Sequence, residues 1–154
     1  MAYQVQIQRI ASQLTAVVRF RAGVGELATL IPQACGEVWT FLRAGNFPKP
    51  GRNLALYLDG VMNIECGVEV FQPFVGNGRV VCSSTPAGLV ATAAHFGRYD
   101  RLGEAHAAVR RWCSDQGYAL AGPSWEVYGH WTDDPTLLRT DVFWLLQDTA
   151  PAPG

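Results

Sequence analysis

A chain of 154 residues, 49% hydrophobic and 11% aromatic, carries enough apolar side chain for one real core and too little length for a second full domain. Twelve basic residues against thirteen acidic ones leave a net charge of −1 with the arginines scattered, which excludes the basic footprint of a nucleic-acid-binding protein. The opening MAYQVQIQRI alternates apolar and polar residues, so it is neither a signal peptide nor a membrane span, and the cytoplasm is the expected compartment.

Tyr3 to Arg9 alternates, and Leu14 to Arg21 (LTAVVRFR) is rich in β-branched and aromatic residues; together they read as a hairpin turned at Ala11-Ser12-Gln13. From Gly25 to about Arg43 the residues Leu27, Leu30, Ile31, Ala34, Val38 and Leu42 recur at helical spacing, which predicts a helix with Pro32 and Gly36 inside it and a kink near Pro32. The Pro- and Gly-dense NFPKPGRN, Asn46 to Asn53, is a loop. Strands follow at Leu54 to Leu58, Cys66 to Phe71, Val80 to Ser84 and Gly88 to Phe96. Leu102 to Gln116 is a second helix, with Ala105, Ala108, Val109, Trp112 and Cys113 on one face. Tyr118 to Pro123 reads as a loop, and Trp125 to Trp131 with Thr140 to Leu146 as a last hairpin across TDDPT.

The order ββαβββ βαββ defines an α+β fold: a curved, mainly antiparallel sheet of about eight strands with two main helices. No alternating βα series occurs, and GVGELA lacks both the lysine of a P-loop and the spacing of a dinucleotide fingerprint. Strand, bend, helix, loop, strand occurs twice. VVRFRAGVGELA, EVWTFLRAG and PGRNLALY in the first copy answer to AAHFGRYDRLGEA, AVRRWCSDQG and AGPSWEVY in the second. Aligning Gly51 with Gly122 sets Tyr57 on Tyr128, Leu56 on Val127, Leu54 on Trp125, and Ala55 on Glu126, so only the second copy has a carboxylate there. The expectation is a single domain over residues 1–148, built of two modules at about 1–80 and 81–148 around a pseudo-twofold axis, with residues 149–154 as a flexible tail.

Cys35, Cys66, Cys82 and Cys113 lie far apart with no CxxC, which points to free thiols; no metal site and no cofactor is implied. His95, His106 and His130 belong to no metal-ligand motif and read as solvated or structurally bonded. Ser83 and Ser84 lack a nucleophile elbow, and Asp133-Asp134-Pro135 is a turn.

Thr85 to Leu146 resembles the second half of the GyrI-like small-molecule-binding domain. The resemblance rests on PAG before a strand, HFGRY before the helix, a tryptophan near the helix end, and the WEVY strand followed by a final strand. Thr15 to Tyr57 resembles the first half more loosely, through the repeat. The resemblance implies two βαββ-type modules in a curved sheet, and an aromatic cleft between them with a central glutamate that meets lipophilic, often cationic compounds. Such domains occur fused to DNA-binding domains in AraC-type and MerR-type multidrug-responsive regulators and as stand-alone proteins. Some stand-alone members are hydrolases that open cyclopropane-bearing genotoxins, and one branch guards DNA gyrase. Glu126 and Tyr128 hold the matching places in the WEVY strand. This chain shows no helix-turn-helix and no basic patch, so direct nucleic-acid contact is not expected, nor is a membrane; a protein partner or homodimer is left open.

Residues two apart on a strand face one side, so Glu126 and Tyr128 share a surface while Trp125 and Val127 face away. An isolated carboxylate in an apolar cleft suffers a desolvation penalty of several kcal/mol, which raises its pKa or demands a partner. A lipophilic cation supplies one, and aromatic faces add about 0.5–2 kcal/mol each through cation–π attraction. Tyr57, Tyr128, Tyr99, Trp39 and Trp112 are the candidate walls, the two tryptophans being equally suited to helix-to-sheet packing. The alternative for Glu126 is a solvated strand-end carboxylate or a salt bridge with an arginine such as Arg139. Two activities stay open: capture of a small molecule, or hydrolysis of a strained electrophile with Glu126 as base and Tyr128 as proton donor. A third reading, contact with gyrase or a regulator, comes from the resemblance alone.

Overall fold

The computed structural model describes residues 3–59 and 63–148, so the tail expected at residues 149–154 lies outside the described residues. In chain order the elements are β1 (Gln6–Ile10), β2 (Leu14–Arg21), a 3-10 turn (Val24–Glu26) leading into α1 (Leu27–Ala44), β3 (Asn53–Tyr57), β4 (Asn63–Glu69), β5 (Val80–Ser84) and β6 (Gly88–Phe96). A second 3-10 turn (Tyr99–Arg101) then leads into α2 (Leu102–Gln116), followed by β7 (Leu120–Tyr128) and β8 (Arg139–Leu146). The strands form one antiparallel sheet in the order β1-β6-β8-β7-β3-β4-β2-β5. This is the expected α+β architecture, and the order is symmetric about the β7–β3 junction.

The N-terminal hairpin is not formed. β1 pairs with β6, whereas β2 pairs with β4 and β5. Ala11-Ser12-Gln13 contains no glycine or asparagine to adopt the positive φ of a tight hairpin turn. The chain instead continues as one arm of a bent ribbon. Gln6 faces Thr92, Ile10 faces Gly88, Leu14 faces Ser84 and Val18 faces Val80, so the register passes through the bend without a slip. Thr85 fastens the bend: its N–H donates to Gln13 O at 2.9 Å, Gln13 N–H donates to its Oγ1 at 3.0 Å, and Ser12 Oγ donates to its carbonyl at 2.7 Å.

That crossing dictates the curvature. In a flat sheet β1 and β2 would lie six strand spacings apart, about 28 Å, but the link from Ile10 to Leu14 spans at most about 14 Å. The sheet therefore curls until its two ends come within reach of that link, and it stays open, with β1 and β5 as its edges. Curling explains why Leu54, Leu56, Val90, Trp125 and Val127 are buried on a face that contains no helix residue, with Trp125 stacked on Phe143 at 5.3 Å.

Each helix covers the other face of its own half: α1 packs chiefly on β2 and β4 and α2 on β6 and β8, which leaves the central pair β7–β3 between them. α1 buries Ala34, Cys35, Val38 and Leu42 and runs unbroken through Pro32. α2 buries Leu102, Ala105, Val109 and Cys113 and ends at Gly117, whose φ of 81° is the left-handed stop that glycine favours. The segment read as a loop at Tyr118 to Pro123 belongs to β7 from Leu120 onward. A register shift between Leu120 and Ser124, with Gly122 at φ 120°, makes the bulge whose Gly and Pro looked like a loop. All four cysteines are free.

Candidate functional site

β7 and β3 meet with Ala55 opposite Glu126, Leu54 opposite Val127 and Leu56 opposite Trp125. One constant offset lays Ala34 on Ala105, Val38 on Val109, Leu42 on Cys113, Ala55 on Glu126 and Tyr57 on Tyr128. The pseudo-twofold axis therefore runs between Ala55 and Glu126, which are both cross-strand partners and repeat equivalents. Alternation turns Glu126 and Tyr128 to the helix side, and Tyr128 packs against the cores of both halves.

Glu126 is 4% exposed. Its Oε1 accepts from Tyr57 Oη at 2.7 Å and from Tyr128 Oη at 2.9 Å, so the two symmetry-related phenols converge on a single oxygen. Its Oε2 accepts from His106 Nε2 at 3.0 Å. The other ring nitrogen of His106, Nδ1, lies 3.0 Å from Trp144 Nε1. An indole N–H only donates, so Nδ1 must present a lone pair and the proton resides on Nε2. Through that proton His106 donates to the Glu126 carboxylate. Among the described residues Glu126 pairs with no lysine or arginine.

Burial alone would raise the Glu126 carboxyl, but the hydrogen bond and electrostatic attraction of His106, followed by the hydrogen bonds from Tyr57 and Tyr128, hold it below the ordinary carboxylate value. Burial and the adjacent Glu126 charge push both phenols upward, so they remain protonated donors. Of the two outcomes open to a buried carboxylate, a raised pKa or a partner, the second holds: His106, Tyr57 and Tyr128 together outweigh desolvation. The Arg139 salt bridge is not made either, since Arg139 Nε pairs with Asp141 at 3.0 Å. A carboxylate offers about four acceptor positions, and three are filled here. That leaves a stable anion with one free lone pair on Oε2, and a weak base.

Tyr99 extends the cluster outward. Its ring meets Tyr128 edge-on at 5.6 Å and Trp131 at 6.4 Å, and with exposures of 40% and 71% Tyr99 and Trp131 form an aromatic rim. Trp39 and Trp112 are engaged within their own halves. Trp39 Nε1 donates to Asn53 Oδ1 at 2.7 Å, and Trp112 stacks on Tyr118 at 5.7 Å. Trp112 also lines an open groove of about 1400 Å³ between residues 3–5 and α2, where Arg98, Arg101, Arg110 and Arg111 gather beside Glu104 and Asp115. His95 beneath that groove is structurally bonded, to Tyr3 Oη and Arg98 O at 2.9 Å each.

His106 and Trp144 were missed as site residues. His106 stands at helical spacing with the buried Leu102, Ala105, Val109 and Cys113, so the inward face of α2 was the signal that could have found it. Trp144 alternates with the buried Thr140, Val142 and Leu146 on β8, but nothing local says that it meets His106. The offset that relates the halves puts Cys35 where His106 stands, and strand register puts Cys66 and Val68 where Val142 and Trp144 stand. The first half builds the same architecture with Ala55, Cys35 and Val68, so the fold does not require the Glu126–His106–Trp144 chain.

Two βαββ-type modules, β2-α1-β3-β4 and β6-α2-β7-β8, sharing one sheet define the class of duplicated α+β domain. The chain belongs to the GyrI-like small molecule binding domain family, which matches residues 4–147. Among solved structures it is similar to the EcmrR C-terminal domain, with 22% identity, a TM-score of 0.79 and coverage of 97% of this chain and 100% of that one. It is also similar to SAV2435 bound to tetraphenylphosphonium, with 11% identity, a TM-score of 0.68 and coverage of 96% and 95%. A hydrolase from Listeria innocua follows at 10% identity, a TM-score of 0.60 and coverage of 95% and 93%. At such identities the likeness is one of fold. No match is found among curated proteins.

Proposed function

We propose that this small-molecule-binding domain captures lipophilic cations on Glu126, between Tyr57 and Tyr128 and under the rim of Tyr99 and Trp131. The observation that carries the reading is a carboxylate 4% exposed that accepts from Tyr57, Tyr128 and His106 and pairs with no lysine or arginine among the described residues. A buried carboxylate that pairs with no lysine or arginine gains further when a counter-charge arrives. Glu126 lies on β7, in the central strand pair that the two helices leave between them, so a counter-charge there would meet phenol faces as well as the carboxylate, and a flat or aryl-substituted cation suits both. SAV2435, which shares the fold, is bound to such a cation, tetraphenylphosphonium. The hydrolytic alternative asks Glu126 to take a proton, and its filled acceptor positions and lowered pKa make it poor at that task.

The test is a titration of the purified protein with tetraphenylphosphonium and with triphenylphosphine oxide, a neutral compound of similar shape, followed by tryptophan fluorescence and calorimetry. Saturable binding of the cation, at least tenfold tighter than that of the neutral compound, is expected. Equal affinity for the two would overturn the reading.

A further inference from the structure

The two copies of the repeat differ in what covers the outward flank of their helices. In the first half the chain does so itself. The segment between β4 and β5 lays Phe74 against Phe41 at 5.6 Å and Phe47 at 5.4 Å, and Arg79 holds Glu37 through two bonds at 2.8 and 2.9 Å. The offset that superposes the helices carries Glu37 to Ala108, Thr40 to Arg111 and Phe41 to Trp112. In the second half these three residues line the open groove of about 1400 Å³ that faces residues 3–5. The first half thus displays the kind of chain such a flank accepts. It is a non-helical segment that sets one aromatic ring on the aromatic near the helix end and a charged side chain one turn before it.

The charge that the flank offers is inverted between the halves. α1 presents Glu37 to a cation. α2 presents Arg111, which is exposed and pairs with no acid among the described residues, and Arg110, whose guanidinium carbon lies 5.4 Å from the centre of the Trp144 ring. Arg98 and Arg101 hold Asp100 and Glu104 at 3.0 and 2.9 Å in exposed pairs, which contribute little and exchange readily for another carboxylate. Ala107 and Ala108 make a low floor between the arginines, so a backbone can approach the helix closely. Tyr118 stacks on Trp112 with 11° between the rings and extends the aromatic wall. Glu104 lies two turns before Arg111 and Asp115 one turn after it. That pattern repels a continuous run of phosphates and suits a chain with isolated carboxylates.

We propose that this flank of α2 is a docking site for a non-helical acidic segment of a partner protein. An aromatic side chain of that segment packs on Trp112 and Ala108, and a carboxylate takes the two parallel N–H bonds that the Arg111 guanidinium offers. Arg111 takes no part in the bonds around Glu126, so a ligand on one site does not presuppose a ligand on the other.

The chain's own covering segment supplies the probe: a fluorescein-labelled peptide copying residues 70–79, VFQPFVGNGR, and a second carrying Asn77→Glu and Arg79→Glu. Titrated with the protein at low salt and followed by anisotropy, the acidic peptide should bind saturably and at least tenfold tighter than the unaltered one. Its affinity should fall at least tenfold in Arg111→Glu, whose circular-dichroism melt should match the wild type's. Nitrogen-15 NMR of the wild type should show the peptide shifting the signals of Ala107, Ala108 and Arg111 and the indole N–H of Trp112. Equal affinity for the two peptides, no saturation up to about 1 mM, undiminished binding by Arg111→Glu, or shifts confined to other elements would each overturn the proposal. A single-stranded oligonucleotide that binds more tightly than the acidic peptide would overturn it too, by assigning the groove to phosphates. If Arg111→Glu melts early, the wild-type NMR map decides.

Discussion

Replacing Glu126 by glutamine separates charge from shape at this site. The amide can turn its oxygen to His106 Nε2–H and its NH2 to the hydroxyl oxygens of Tyr57 and Tyr128, which accept as well as donate, so each of the bonds at 2.7, 2.9 and 3.0 Å finds a neutral counterpart. Three charge-assisted bonds become ordinary ones, a loss of about 1 kcal/mol each. Removing a buried charge returns several kcal/mol of desolvation. The two nearly cancel, and Glu126→Gln should melt within roughly 2–4 °C of the wild type, the shift that about 1 kcal/mol produces in a domain of this size. Binding should respond very differently. A monovalent cation centred about 5–6 Å from the carboxylate at an effective dielectric of about 20 gains about 3 kcal/mol, so the variant should bind tetraphenylphosphonium roughly a hundredfold more weakly. Calorimetric titration beside a circular-dichroism melt measures both quantities. Affinity retained within threefold in a variant that melts normally would refute the assignment of Glu126 as the charge that recognises the ligand.

Other expectations concern stability. The Glu126 carboxyl lies lower in the folded protein than its ordinary value of 4.5, so its contribution is fully present above that pH and is lost as the pH falls through the lower folded value. Urea titrations from pH 6 to pH 3 should accordingly show wild-type stability dropping below about pH 4.5 more steeply than that of Glu126→Gln. Tyr57→Phe and Tyr128→Phe each remove one donor to the same carboxylate oxygen and should destabilise by about 1.5–3 kcal/mol, with a strongly non-additive double variant; additive losses under 0.5 kcal/mol would mean that the oxygen does not hold both bonds. Gly67 lies where an added Cβ would collide with the backbone carbonyl of Ala16 on β2, and its own carbonyl faces Cys35 Sγ at 3.7 Å. Gly67→Ala should therefore cost more than about 3 kcal/mol or prevent folding, and a soluble protein melting near the wild type would contradict the close β2–β4 approach.

Local chemistry made much of this fold legible. The runs Leu14–Arg21, Val80–Ser84, Gly88–Phe96 and Leu102–Gln116 are elements with those bounds, because each is a continuous β-branched or amphipathic stretch between punctuating residues. Pairing was not legible for β1 and β2, since their partners lie more than forty residues away and are chosen by the Thr85 crossing. Of the site, the resemblance of the WEVY strand points to Glu126 and Tyr128, alternation sets the two on one face and the repeat adds Tyr57, and the structure brings all three together. Trp39 and Trp112 looked equally suitable by composition, yet each satisfies its ring inside its own half. His106 lay hidden in a helix read only for its apolar face, and Trp144 in a strand whose tryptophan needed a partner from another element.

The single carboxylate follows from the symmetry of the scaffold. Residues directly opposite on an antiparallel pair have Cβ atoms about 4.5–5.5 Å apart, and the axis makes Ala55 and Glu126 such a pair. A faithful duplication would set two buried carboxylates face to face, and like charges at that range force one of them to keep its proton. The two phenols, by contrast, can be symmetric, because one carboxylate oxygen accepts from both. The domain keeps its symmetry where groups donate and breaks it where a charge must stand alone. The departure then propagates outward: the half with the acid needs His106 for the second oxygen, and His106 needs Trp144 to fix its tautomer. The half without the acid fills the same positions with Cys35 and Val68. A chain of three linked substitutions confined to one copy of a duplicated fold has no counterpart among the requirements of folding, and it ends on the one buried carboxylate at the axis.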